Sequence, residues 1–318
     1  MAPTTNHRTD VPGADADKPT EIPAAGWWQV IRRAWAEAKA DQVPLLAAGV
    51  AFFGFLAVFP AIVAAVLTYG LVADPEQIRD QAGELAAAMP ESGRELLLEQ
   101  LATLTSSPRQ GLGIGLIVAV LAALWSASGG VGYLISAVNL AYDEEETRGF
   151  VRRKLLSLGM TLGAIVFVLL AVGLFSAGAA IGDELATPIR IGLQAARLVV
   201  AVLLITVALA VIYRLAPDRD AARVRWVSTG AVVATIIWLL ASIGFSIYVQ
   251  TFGNYAKTYG SLAAVVVLML WLWLTAYAVL LGAEINAEAE QQTARDTTKG
   301  EPRPLGRRNA VKADSLPQ

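Results

Sequence analysis

Six stretches of this chain carry no Asp, Glu, Lys or Arg: residues 42–73, 110–142, 155–182, 198–213, 226–250 and 258–283. A helix needs about 20 apolar residues to cross ~30 Å of hydrocarbon. Five of the runs exceed that length. The run at 198–213 is shorter and reaches it by extending back through Ile191, with Arg197 snorkelling at its mouth. The pattern predicts an all-α polytopic membrane protein. Its transmembrane domain covers 42–290, with six helices over 44–73, 111–141, 155–181, 191–213, 226–250 and 259–287.

The connections carry their own patterns. Residues 26–41 set Trp27, Trp28, Ile31 and Trp35 along one side, with Arg32, Arg33 and Lys39 available to lipid phosphates. That combination predicts an amphipathic helix lying at the interface. Asp74 before Pro75 reads as a helix start, and Ser92 with Glu95 has capping-box spacing. The external loop 74–110 is therefore expected to hold two short helices, near 75–88 and 93–104, broken at Pro90. It could contact envelope protein partners. Residues 1–25 and the basic tail 291–318 lack apolar periodicity and are expected to be disordered.

Charge sets the orientation. Of the 25 Lys and Arg residues, 19 lie in residues 1–41, 143–154, 214–225 and 291–318. The positive-inside rule then puts both termini in the cytoplasm, as an even number of spans requires. The 55% hydrophobic content and mean hydropathy of +0.53 are too high for a soluble domain of this size. Cysteine is absent, which removes disulfides, thiolate nucleophiles and cysteine metal sites. His7 is the one histidine. No Walker loop, zinc-protease helix, serine-hydrolase elbow or dinucleotide fingerprint occurs. No catalytic residue, metal or cofactor is expected, and no nucleic-acid partner.

Within the spans, small residues recur at four-residue spacing: Gly111 and Gly115, Gly159 and Gly163, Gly178 and Gly182. Helices in lipid pack closely through such residues. Two features exceed simple packing. Pro60 removes a backbone hydrogen bond near the middle of span one and predicts a kink. The segment WSASGGVG, 125–132, permits local unwinding in span two. Together they predict a midplane cavity lined by Phe52, Phe53, Pro60, Ser126, Ser128, Gly129 and Gly130. No span carries an acidic or basic residue near its middle; Glu284, at the cytoplasmic end of span six, is the nearest candidate.

Two stretches, LAAGVAFFGFLAVFPAIVAAV in span one and YGSLAAVVVLMLWLWLTAYAVLLGAEINAE in span six, strongly resemble the YihY/virulence factor BrkB family. YRLAPD at 213–218 and WLLASIGFSIYV in span five fit the same pattern. The resemblance covers roughly residues 30–290. It implies a bacterial inner-membrane protein of about six spans. Members have been labelled as a tRNA-processing ribonuclease or linked to lipid and envelope transport. The hallmark positions here include Ala51, Phe52, Phe53, Phe59, Pro60, Tyr259, Gly260, Ser261, Gly282, Ala283, Glu284 and Asn286. The family supplies no catalytic motif to carry over. Tyr259, Gly260, Ser261, Gly282, Glu284 and Asn286 are taken as a gate or motif set.

Three functions are weighed. A transporter or flippase for a lipid or other amphipathic envelope component suits the uncharged span interiors. A scaffold for envelope proteins would work through the 74–110 loop. A ribonuclease would need clustered metal ligands, and the chain offers only Asp143–Glu146 and the Glu284/Glu288 pair on the cytoplasmic side. The expectation is the first, a non-enzymatic protein whose partners are membrane lipids.

Overall fold

The computed structural model describes residues 11–70, 112–182, 187–251 and 261–317. Seven α-helices occur among them: α1 (Ala24–Ala40), α2 (Val43–Gly70), α3 (Leu112–Ala141), α4 (Phe150–Gly182), α5 (Thr187–Leu215), α6 (Val224–Thr251) and α7 (Ser261–Gln291). The described residues form no strand beyond an isolated bridge between Ala222 and Thr298. Helices α3 to α7 are each long and apolar enough to cross a membrane, and the α1–α2 pair raises the number to as many as six. The chain is thus an all-α polytopic membrane protein.

The long helices close into a ring. Each packs on its neighbours in the chain, and α7 returns to pack on α2. The ring's flanks are apolar and uncovered: Val166, Leu169, Leu203, Ile236, Leu240 and Ile243 are all exposed. In water that surface would be unfavourable by roughly 25 cal/mol per Å². Against acyl chains it has no such penalty. The packed core lies toward one end of the ring, where Val43, Ile135, Val138, Tyr142, Tyr213, Val227 and Leu280 are buried together.

That same end receives both chain ends. Helix α1 meets α2 at a 64° bend. The bend is made at Gln42, which takes the left-handed conformation at φ 52°. Pro60 does not break α2, which stays helical from Val43 to Gly70. Helix α3 likewise runs unbroken through Gly129 and Gly130, so the local unwinding expected at WSASGGVG does not occur.

The termini depart furthest from expectation. Residues 292–317, expected to be disordered, pack across the end of α7. Arg308, Lys312, Thr293 and Asp296 are buried there. Residues 11–22 join them: the Ala294 amide donates to the Ala14 carbonyl at 2.8 Å, and the Thr293 hydroxyl to the Ala16 carbonyl at 2.7 Å. Long-range polar pairs supply the order that apolar periodicity does not. Residues 1–10 and the predicted loop 74–110 lie outside the described residues.

Candidate functional site

The expected cavity between spans one and two is a close helix crossing. A Cβ placed on Gly130 would lie 2.9 Å from Ala57 Cβ and 3.0 Å from the Phe53 carbonyl oxygen. The glycine is needed for α3 to approach α2. Phe53 stacks on Tyr133 across the same contact, with ring centroids 3.5 Å apart. Phe52 points out of the bundle and is 47% exposed. Pro60 is half-buried and Ser126 exposed. Gly129 has open space where its Cβ would be. One residue of helix turns the chain by ~100°, so adjacent glycines face different surroundings.

A groove does form, on the other side of α3. It lies against α4, holds about 180 Å³, and is lined by Ser128, Gly129, Gly132, Tyr133, Phe150, Arg153, Lys154 and Ser157. Lys154 dominates it. Its Nζ sits 4.1 Å from the centre of the Trp125 ring and donates to the Trp125 carbonyl at 2.9 Å. Arg153 donates to the Ser136 hydroxyl at 2.6 Å and to the Gly132 carbonyl at 3.3 Å. Ser128 and Ser157 donate to the carbonyls of Trp125 and Arg153. Among the described residues Arg153 approaches one carboxylate, Glu146, at 3.8 Å. Glu146 already holds Arg148 at 2.6 Å. No ion pair of Lys154 occurs among the described residues. The groove therefore has surplus positive charge, aromatic walls and an open side.

The α7 motif is built differently. Glu284, Glu288 and Gln292 recur every four residues and share one helix face. Asn286 and Glu290 share another. All five are buried because separate elements cover the two faces. On the first face, Arg33 of α1 binds Glu288 and Gln292. Lys312 of the tail reaches Glu288 at 2.7 Å, Asp143 at 2.9 Å and Glu37 at 3.5 Å. Burial disfavours the Lys312 cation, but Glu288 and Asp143 outweigh it and hold the ammonium above its ordinary range. On the second face, Arg219 meets Glu290 at 2.6 Å and covers the Tyr142 ring at 4.7 Å. Burial works against that guanidinium too, and Glu290 again prevails, raising it.

Gly282 and Asn286 fasten α7 to α6. Asn286 accepts from the Gly230 amide at 2.7 Å and donates to the Val227 carbonyl at 3.2 Å. A Cβ on Gly282 would strike the Tyr213 hydroxyl and come within 2.6 Å of Ala234 Cβ. Tyr213 donates to the Val279 carbonyl at 2.7 Å. Glu284 is buried, and its Oε1 has no hydrogen-bond partner among the described residues. Ser261 opens α7, some thirty residues from Gln291. Tyr259 and Gly260 lie outside the described residues. The structure thus brings Gly282, Glu284 and Asn286 together as a helix junction, apart from the groove that contains Ser128 and Gly129.

Sequence reasoning used Arg153 and Lys154 for topology and missed them as site residues. The available signal was three consecutive cations, Arg152 to Lys154, entering an apolar span. Among the described residues no group of three His, Cys, Asp or Glu side chains is placed to hold a metal ion.

A ring of long apolar helices with one basic groove on its flank defines an integral membrane protein of the helical bundle class. Its sequence matches the virulence factor BrkB family profile over residues 34–305, and the chain belongs to that family. The ribonuclease-like protein YfkH of Bacillus subtilis is 34% identical over 247 residues, covering 76% of this chain and 87% of its own. A UPF0761 membrane protein of Tolumonas auensis is 38% identical over 79 residues, 24% of this chain and 26% of its own. One from Vibrio parahaemolyticus is 42% identical over 65 residues, 20% of this chain and 21% of its own. No solved structure matches the chain.

Proposed function

We propose that this protein moves or flips a lipid, or another amphipathic envelope component, in the bacterial inner membrane. The observation that carries the reading is the α3–α4 groove. It offers a cation, Lys154, with no ion pair among the described residues, beside Trp125 on a flank that is otherwise apolar. A headgroup would sit in the groove while its chains remain against exposed Leu121, Val151 and Leu155. The reading is non-enzymatic, with lipid as the partner. Both termini are assigned to the cytoplasm. Support comes from their meeting at one end of the bundle and from the basic residues gathered there. Reporter fusions at Gly149 and Asp220 are then cytoplasmic, and a cytoplasmic signal at Gly83 contradicts the orientation.

The test is a proteoliposome assay with fluorescent phospholipid in both leaflets and a membrane-impermeant quencher outside. Protein that moves lipid makes the inner-leaflet dye accessible. Quenching that stops at the outer leaflet, as in protein-free vesicles, contradicts the function.

A further inference from the structure

We propose that the α3–α4 groove is a binding site for the phosphate of an anionic lipid headgroup, with Lys154 and Arg153 as its ligands. The proposal deepens the lipid reading above and rests on the same groove.

The chemistry follows from which donors remain free. An ammonium has three N–H bonds. Lys154 uses one on the Trp125 carbonyl and faces the Trp125 ring, leaving donors for a second partner. A guanidinium has five. Arg153 uses one terminal nitrogen on Ser136 and Gly132 and turns its Nε toward Glu146 at 3.8 Å, which leaves the other terminal nitrogen for an anion. Ser128 and Ser157 already donate to helix carbonyls, so they can accept but do not donate to an anion. Recognition therefore falls on the two cations. The N-terminal end of α4, beginning at Phe150, puts the positive end of a helix dipole beside them.

Size and surroundings choose the ligand. The groove holds about 180 Å³ and is open on one side, room for a phosphate with a small polar group while the acyl chains lie along the apolar flank. Its rim is Phe150, 72% exposed, with Trp125 and Tyr133 also exposed. Aromatic rings of this kind favour the headgroup level of a bilayer. Free phosphate would meet the same cations but has no use for the apolar surface next to them.

Lys39 lacks this combination. Lys39 also lies over a tryptophan, Trp35, at 5.4 Å. Its hollow is lined by Ala38, Pro44, Leu45 and Tyr277, with no second cation.

The full-length protein is placed in nanodiscs of phosphatidylcholine, with or without phosphatidylglycerol, and its retained lipid is read by native mass spectrometry. Wild type is expected to retain phosphatidylglycerol preferentially. Lys154→Gln should reduce that preference roughly tenfold, the effect of losing one charge-assisted contact. Lys154→Arg should keep most of it, which separates charge from folding, and Lys39→Gln should leave it unchanged. No preference in the wild type overturns the proposal, as does an equal loss in Lys154→Gln and Lys39→Gln. Inorganic phosphate serves as competitor. Displacement of the lipid by it contradicts the lipid assignment. Binding without lipid movement in the proteoliposome assay leaves this site standing and removes only the transport function.

Discussion

Lys312 places its Nζ 2.7 Å from a carboxylate oxygen of Glu288, and neither side chain is more than 3% exposed. One residue belongs to the C-terminal tail and the other to the last turns of α7. Their contact converts a polar tail into part of the fold. Asp143 and Glu37 complete the anionic surround, joining the α3–α4 connection and α1 to the same ammonium.

Lys312→Met should release the tail while sparing the bundle. Glu288 keeps Arg33, so the helix junction survives. The lost hydrogen bonds to charged groups stabilise the docked tail by about 1.5–3 kcal/mol each. Hydrogen exchange should accelerate across 295–317 and stay slow in α3 and α7. Unchanged protection of the tail would contradict this role for Lys312 and leave the docking to contacts such as Arg303 with Asp220 and the Val311 amide with Glu144.

The two adjacent glycines of α3 should behave differently. Gly130→Leu forces a side chain into Ala57 and the Phe53 backbone. Overpacking costs typically 1–3 kcal/mol or more, so the variant should accumulate poorly or melt earlier in detergent. Gly129→Leu meets open space and should fold normally while narrowing the groove. Equal melting temperatures for the two variants would contradict the crossing geometry.

This pair also marks the limit of sequence reading. The spans were legible because a charge in hydrocarbon is costly, so charge-free runs of sufficient length stand out. At GG the small residues were legible but were read as unwinding around a cavity, whereas Gly130 sits in a close crossing of an unbroken helix. Which glycine faces α2 depends on the rotational phase of α3, and composition is silent on that. Propensity predicted a kink at Pro60, and α2 stays helical through it. The tail was misread because its order rests on partners up to 280 residues away, such as Gln292 on the Pro12 carbonyl. Lys154 was visible as a topology signal. Its approach to Trp125 required the antiparallel register of α3 and α4.

Acid should loosen the connections before it affects the spans. Burial opposes the Asp218 charge, but hydrogen bonds from Thr147 and Arg148 prevail and hold its carboxyl below the ordinary 3.8. Asp296 is likewise held below 3.8, with donors from Arg303 and Thr298 overcoming burial. A carboxyl lowered on folding stabilises the fold above its ordinary value, and that contribution is lost as pH falls through the folded value. Glu144 has the opposite sign. Burial raises it above 4.5, so acidification first relieves its cost. Thermal midpoints recorded against pH should fall below pH 3.8 in wild type. The fall should be shallower in Asp218→Asn and Asp296→Asn. Parallel curves for all three would contradict the assignment.

The central claim is that the α3–α4 groove, and not the α2–α3 crossing, is where this protein holds lipid. The most direct measurement is a structure determined in a bilayer containing phosphatidylglycerol. The account predicts headgroup density beside Lys154 and Arg153, with acyl density continuing over Leu155. Ordered lipid elsewhere on the flanks with an empty groove, or lipid wedged between Gly130 and Ala57, would contradict it.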